Sequence, residues 1–228
     1  MEMKGTLLFG IICLAFLAAV GTVSAASLIA NGGFEVPVNT ASWQIYPDGT
    51  PGMVWHAEGI DPAHPGYNDL EIQTQGTLGL VPAEGNQYAE LDPYYNVRIS
   101  QDVNLQKGHT YLLSYAQSCR RDDPALPSTL QVTMSVPNAG SVLATTGCNR
   151  DGAMKWTVHT VSIAPSADGV VSLSFEDKGV SDSYGVLLDD VKLEDQTIPS
   201  PEFPTIAVPV GMILGAVLIV YTLRSRKD

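Results

Sequence analysis

Leu130-Gln131-Val132-Thr133-Met134-Ser135-Val136 alternates apolar and polar side chains without a break. Successive side chains of an extended strand point to opposite faces, so this period of two puts Leu130, Val132, Met134 and Val136 on a core face. The same reading applies to Val97, Ile99, Gln101 and Val103, which alternate with Arg98, Ser100 and Asp102, and to Val171, Leu173 and Phe175, separated by Ser172 and Ser174. Leu187, Asp189, Val191 and Leu193 continue the pattern near the end and assign Asp189 to the inward face. Lys107-Gly108, Asn138-Ala139-Gly140, Asp151-Gly152 and Asp168-Gly169 supply turns between these runs. No amphipathic helix of convincing length interrupts them. Many short strands at this spacing predict an all-β fold, a β-sandwich of jelly-roll type.

Outward from this region, both ends are apolar for other reasons. Leu7 to Val20 follows Lys4 and precedes Val23-Ser24-Ala25, a small-residue site suited to cleavage before Ala26, so residues 1–25 read as a signal peptide; an uncleaved anchor is the competing reading. Cys13 lies in that run without a lipobox. Thr205 to Leu223 carries no charge over 19 residues, nearly enough to span a hydrocarbon core as a helix, and Arg224, Arg226 and Lys227 follow as a basic cytoplasmic tail over 224–228. Residues 196–204 form the linker, which leaves 26–195 as one extracellular domain.

The whole chain of 228 residues has 12 basic and 24 acidic residues. Without Glu2, Lys4, Arg224, Arg226, Lys227 and Asp228 the balance is 8 against 22, a net charge of −14. Phosphate contacts need clustered Lys and Arg, so nucleic acid is excluded as a partner. Cys119 and Cys148 remain in the exported domain and favour a disulfide, with two free thiols as the alternative.

The tail Pro201-Glu202-Phe203, apolar helix and basic residues, in that order, resembles the PEF-type C-terminal sorting signal of archaeal surface proteins. That resemblance implies recognition by an archaeosortase-type enzyme, cutting near the triplet and transfer to a surface lipid. The domain itself opens with Asn31-Gly32-Gly33-Phe34-Glu35, continues through Gly85-Asn86-Gln87-Tyr88-Ala89-Glu90-Leu91-Asp92 and Gly108-His109-Thr110-Tyr111, and closes with Leu188-Asp189-Asp190-Val191. This series resembles the galactose-binding-like β-sandwich families, nearest to the domain of unknown function shared by plant cell-wall proteins and bacterial surface proteins with sorting tails. The resemblance implies a jelly roll, a cell-surface location and a cell-envelope glycan or surface-protein partner; it does not imply catalysis.

Two sites follow. Buried carboxylates need a cation or several donors. In related carbohydrate-binding modules the first and last strands together hold a structural calcium; Glu35, Asp189 and carbonyls near Asn31 match that arrangement, while pairing of Asp189 with Arg120, Arg121 or backbone amides is the rival. The second site is a glycan face. Sugars take aromatic rings against their C–H faces and carboxylates, amides or Arg at their hydroxyls. The stretch Trp43 to Tyr95 is rich in aromatics interleaved with acids. Within and beside it, Trp55, Tyr88 and Tyr94 are candidate platforms, and Glu71, Glu90 and Arg120 candidate hydroxyl ligands; core packing of the aromatics is the plainer reading.

Glu71, Glu90 and Asp177 are the acids available for a glycosidase pair, but no spacing requires one. His56, His64, His109 and His159 make no triad or ligand pattern, and Ser114 and Ser118 lack a nucleophile-elbow context. The expectation is a non-catalytic surface protein, glycan-binding or, alternatively, structural or adhesive without a small ligand.

Overall fold

Leu130, Val132 and Met134 are buried, whereas Gln131, Thr133 and Ser135 are not, so the alternation that predicts a strand is realised as one. The structure, a computed structural model, describes residues 26–121, 128–136, 139–148 and 153–197, without the side chains of 136, 139, 140 and 148. The expected signal peptide, Cys13, Pro201-Glu202-Phe203, the apolar run 205–223 and the basic tail lie outside the described residues. Among the described residues no helix is long and apolar enough to cross a membrane.

In chain order the elements are β1 (Trp43–Pro47), β2 (His56–Gly59), β3 (Asp69–Thr74), α1 (Gln75–Leu78), β4 (Gln87–Glu90), β5 (Val97–Leu105), β6 (Tyr111–Cys119), β7 (Ser128–Val136), β8 (Ala139–Cys148), β9 (Thr157–Ile163), β10 (Gly169–Asp177) and β11 (Val186–Asp195). They form two antiparallel sheets, ordered β1-β3-β4-β11-β6-β9 and β2-β5-β10-β7-β8. Between them lies one apolar core to which both sheets contribute, including Leu70, Ile72, Leu113, Tyr115, Val186 and Leu188 from the first and Ile99, Leu105, Val132, Leu173 and Phe175 from the second. The fold is therefore a β-sandwich, as the period-two runs predict.

The opening segment runs beside the last strand. Leu28 N–H donates to Leu193 O at 2.8 Å and Val191 N–H to Gly32 O at 3.0 Å. A Cβ on Gly32 would stand 1.9 Å from Val191 O, so this close approach requires glycine.

Asp189 does not share a face with Val191 and Leu193. Asp190 adopts φ 50 and the β11–β6 register shifts between Asp189 and Lys192. This bulge inserts a residue, so Leu188 and Val191 both enter the core and Asp189 alternates to the outer face with Leu187. Cys119, at the end of β6, is 6% exposed and disulfide-bonded.

Candidate functional site

The outer face of the six-stranded sheet is the one that does not meet the sandwich core. Pairing registers place Ile45, Glu71, Glu90, Leu187 and Ser118 in one row across β1, β3, β4, β11 and β6, with Trp43, Gln73 and Tyr88 in the adjacent row. Tyr46 turns into the core at 7% exposure, which leaves Trp43, three residues earlier on the same strand, on the outer face at 46%.

Two neighbouring segments raise walls around this face. Thr74 Oγ1 accepts the Gly76 N–H at 3.3 Å to cap α1, and Gly79 at φ 72 closes it, setting Thr77 at the rim. After β4, the chain from Asp92 to Asn96 is pinned at both ends. Asp92 Oδ2 accepts the N–H groups of Asp182 (2.8 Å) and Ser183 (2.9 Å), and Asn96 Nδ2 donates to Gly179 O at 2.7 Å. Between these pins Tyr94 stands 52% exposed, with Tyr67 edge-on to both Tyr94 and Tyr95 and His64 stacked on Tyr95. The result is an open groove of about 230 Å³ lined by Trp43, Glu71, Thr77, Pro93, Tyr94, Arg120 and Ser183.

Beneath the groove is a polar network. Gln73 Nε2 donates to Glu71 Oε1 at 2.7 Å and also to Glu90 Oε2. Arg120 Nη1 reaches Glu90 Oε2 at 3.2 Å and Ser183 O at 3.1 Å, and its guanidinium lies 4.7 Å from the centre of the Tyr184 ring. Gly185 N–H donates to Glu90 Oε1 at 3.0 Å; a Cβ there would stand 2.6 Å from Asp92 N, so the approach needs glycine. Burial pushes the Glu90 carboxyl up to about 8 against the pull of Arg120, and also raises Glu71 and Asp92.

The six residues expected on a glycan face therefore separate. Glu71, Tyr94 and Arg120 line the groove. Trp55 does not: it is 2% exposed, stacked on Phe34, edge-on to Phe175, and donates its indole N–H to Asn31 O at 3.0 Å. Its ring fills the core and presents nothing to a sugar. Tyr88 is fully buried against Trp156, with Leu80 and Leu187, and Glu90 is also fully buried beneath Arg120. Asp177 is 1% exposed and accepts the N–H groups of Gly179 and Val186. Trp43 is the groove aromatic that composition alone does not single out. Its signal is the alternation of Trp43 and Ile45 with Gln44 and Tyr46.

The oxygens expected around a calcium accept N–H groups. Asp189 Oδ2 accepts the N–H groups of Ala83 (2.7 Å) and Glu84 (3.0 Å), and Oδ1 that of Asp190 (2.7 Å). Glu35 Oε1 takes those of Asn86 and Gln87, and Asn31 O takes Phe34 N–H and the Trp55 indole. Amide dipoles with their positive ends turned to these oxygens do the work a cation would do. No group of three or more His, Cys, Asp or Glu side chains able to hold a metal occurs among the described residues. Glu35 and Asp189 instead clamp one stretch, Ala83 to Gln87, over the outer face.

No known family profile and no curated protein matches the sequence. Solved structures do resemble the fold. A cyclase from Fischerella sp. TAU in complex with 4-(1H-indol-3-yl)butan-2-one gives a TM-score of 0.56 at 18% identity, covering 77% of this chain and 100% of the cyclase. TmCBM61 in complex with β-1,4-galactotriose gives 0.49 at 13% identity, over 75% of this chain and 100% of that one. The CBM22-1 xylan-binding domain of Paenibacillus barcinonensis Xyn10C gives 0.45 at 13%, over 77% and 98%. The likeness to the cyclase is one of fold alone, an antiparallel β-sandwich.

Proposed function

We propose that this chain is an exported surface protein whose β-sandwich binds a glycan, without catalysis, in the groove on the outer face of the six-stranded sheet. One observation carries the reading: Trp43 and Tyr94, two half-exposed aromatic side chains, flank a groove that Glu71 and Arg120 also line. Rings that lie against sugar C–H faces beside groups that take hydroxyls are the chemistry of glycan recognition. The buried acids Glu90 and Asp177 are taken up by backbone amides and Arg120, which supports binding rather than hydrolysis.

Export and anchoring rest on the sequence: a signal peptide over 1–25, then Pro201-Glu202-Phe203, the apolar run 205–223 and a basic end, in the order an archaeosortase-type enzyme recognises. Pairing of Cys119 with Cys148 is supported by the disulfide state of Cys119 and by exportation.

The test is capture of envelope polysaccharides and arrayed glycans by the full-length chain in detergent. Trp43→Ala and Tyr94→Ala are expected to weaken capture at least about tenfold without lowering the melting temperature. Capture unchanged in both variants, no glycan captured, or hydrolytic product from any polysaccharide overturns the proposal; self-association without sugar binding identifies a structural or adhesive protein instead.

A further inference from the structure

Of the charged residues that line the groove, Glu71 is the acid and Arg120 the cation. Glu71 is 5% exposed, and Glu90 and Asp92 are not exposed at all. Arg120 is the cation lining the groove, and its guanidinium is engaged by Glu90, Ser183 O and the Tyr184 ring. Glu71 receives a hydrogen bond from Gln73 Nε2, but that nitrogen is shared with Glu90. Burial raises the carboxyls of Glu71 and Glu90 above their ordinary range, against the pull of Arg120 on both.

A second observation points the same way. Gln73 Oε1 and Ser118 Oγ are buried on this face without a hydrogen-bond partner among the described residues. Gln73 is fully buried with its amide between the two carboxyl groups, so its free oxygen is an acceptor in want of a donor beside Glu71. At the rim, Trp43 and Tyr94 supply half-exposed aromatic rings, the kind of group that attracts a cation. The Glu71 carboxyl, an unused acceptor beside it and aromatic walls together favour one kind of group, a positively charged N–H donor.

We infer that the groove prefers a glycan presenting a protonated amine, a hexosamine with its nitrogen unacetylated, over the N-acetylated or uronic-acid counterpart; this rests on the glycan-binding reading above. The ammonium donates up to three hydrogen bonds and places its charge between Glu71 and the aromatic rings. Acetylation removes the charge, and a uronate brings a second acid to Glu71.

The experiment is calorimetric titration of the full-length chain in detergent, near neutral pH, with matched gluco- and galacto-configured oligosaccharides of hexosamine, N-acetylhexosamine and hexuronic acid. The amine form is expected to bind about tenfold or more tighter than the acetylated form, and the uronate weakest. The margin shrinks as salt is raised, and Glu71→Gln brings it to within about twofold. Equal binding of amine and acetylated forms, tighter binding of the uronate, or a margin that survives Glu71→Gln overturns the inference. If this series fails while another glycan binds in the groove, the preference alone falls. If no glycan of any kind binds, the groove is not a glycan site. The wild-type comparison stands even if Glu71→Gln fails to fold.

Discussion

Arg120 Nη1 lies 3.2 Å from Oε2 of Glu90, a carboxylate with no solvent exposure. The contact ties the chain just beyond β6 to β4, and Glu90 in turn holds the Gly185 N–H at the start of β11. Removing the guanidinium leaves a buried acid with fewer donors. Arg120→Ala is expected to lower stability on the order of 1–3 kcal/mol, because a buried carboxyl loses a hydrogen-bond donor that nothing replaces. Replacing both partners, Glu90→Gln with Arg120→Met, recovers part of that loss. Urea unfolding of the three proteins measures it; a single variant as stable as wild type contradicts the role given to the pair.

Buried acids also set the pH response. Burial pushes Glu90 up to about 8 and Asp189 up to about 7, from ordinary values of 4.5 and 3.8. Between the ordinary and the raised values the folded chain keeps protons that the unfolded chain has lost. The unfolding free energy therefore falls as pH rises through that window, by up to about 1.4 kcal/mol per pH unit for each group. Melting temperature is expected to be highest in mild acid and to decline toward pH 8, with a shallower decline in Glu90→Gln. A melting temperature that climbs over this range contradicts the burial argument.

Trp55 and Trp43 separate stability from binding. Trp55→Ala empties a site between Phe34 and Phe175 and is expected to cost about 3–5 kcal/mol. Trp43→Ala removes a half-exposed ring and is expected to change stability by no more than about 0.5 kcal/mol while weakening sugar capture. Thermal melts of the two variants check this, and similar losses in both contradict it.

Asp189 and Glu35 hold the stretch Ala83 to Gln87 through backbone amides. Melting in EDTA is expected to coincide with melting in calcium. Asp189→Ala is expected to cost on the order of 1–3 kcal/mol and to release amide-exchange protection at Ala83 and Glu84. A calcium-dependent melting temperature contradicts this account.

What was legible in the sequence was what is local to it. Side-chain alternation needs only neighbours, so the core faces of β5, β7 and β10 follow directly from residues 97–103, 130–135 and 171–175. The phase of β11 was not legible, because a bulge at Asp190 with φ 50 inserts one residue and turns Asp189 outward. Aromatic density places a site between Trp43 and Tyr95, yet it does not rank Trp43 above Trp55. Which ring meets the core depends on the sheet packed opposite, and that is a long-range fact. The amides that bond Asp92 Oδ2 and Asp189 Oδ2 lie 90 and more residues away, so no spacing in the chain announces them.

The three tryptophan indoles give the most direct measure of the central claim, since each sits in a different environment. Indole N–H resonances of Trp43, Trp55 and Trp156, assigned by single substitution, are followed while the captured glycan is titrated into the full-length chain. The Trp43 signal is expected to move in step with sugar occupancy, and the Trp55 signal, bonded to Asn31 O in the core, to stay in place. Movement of Trp55 with Trp43 unmoved, at saturating sugar, contradicts the assignment of the groove as the binding site.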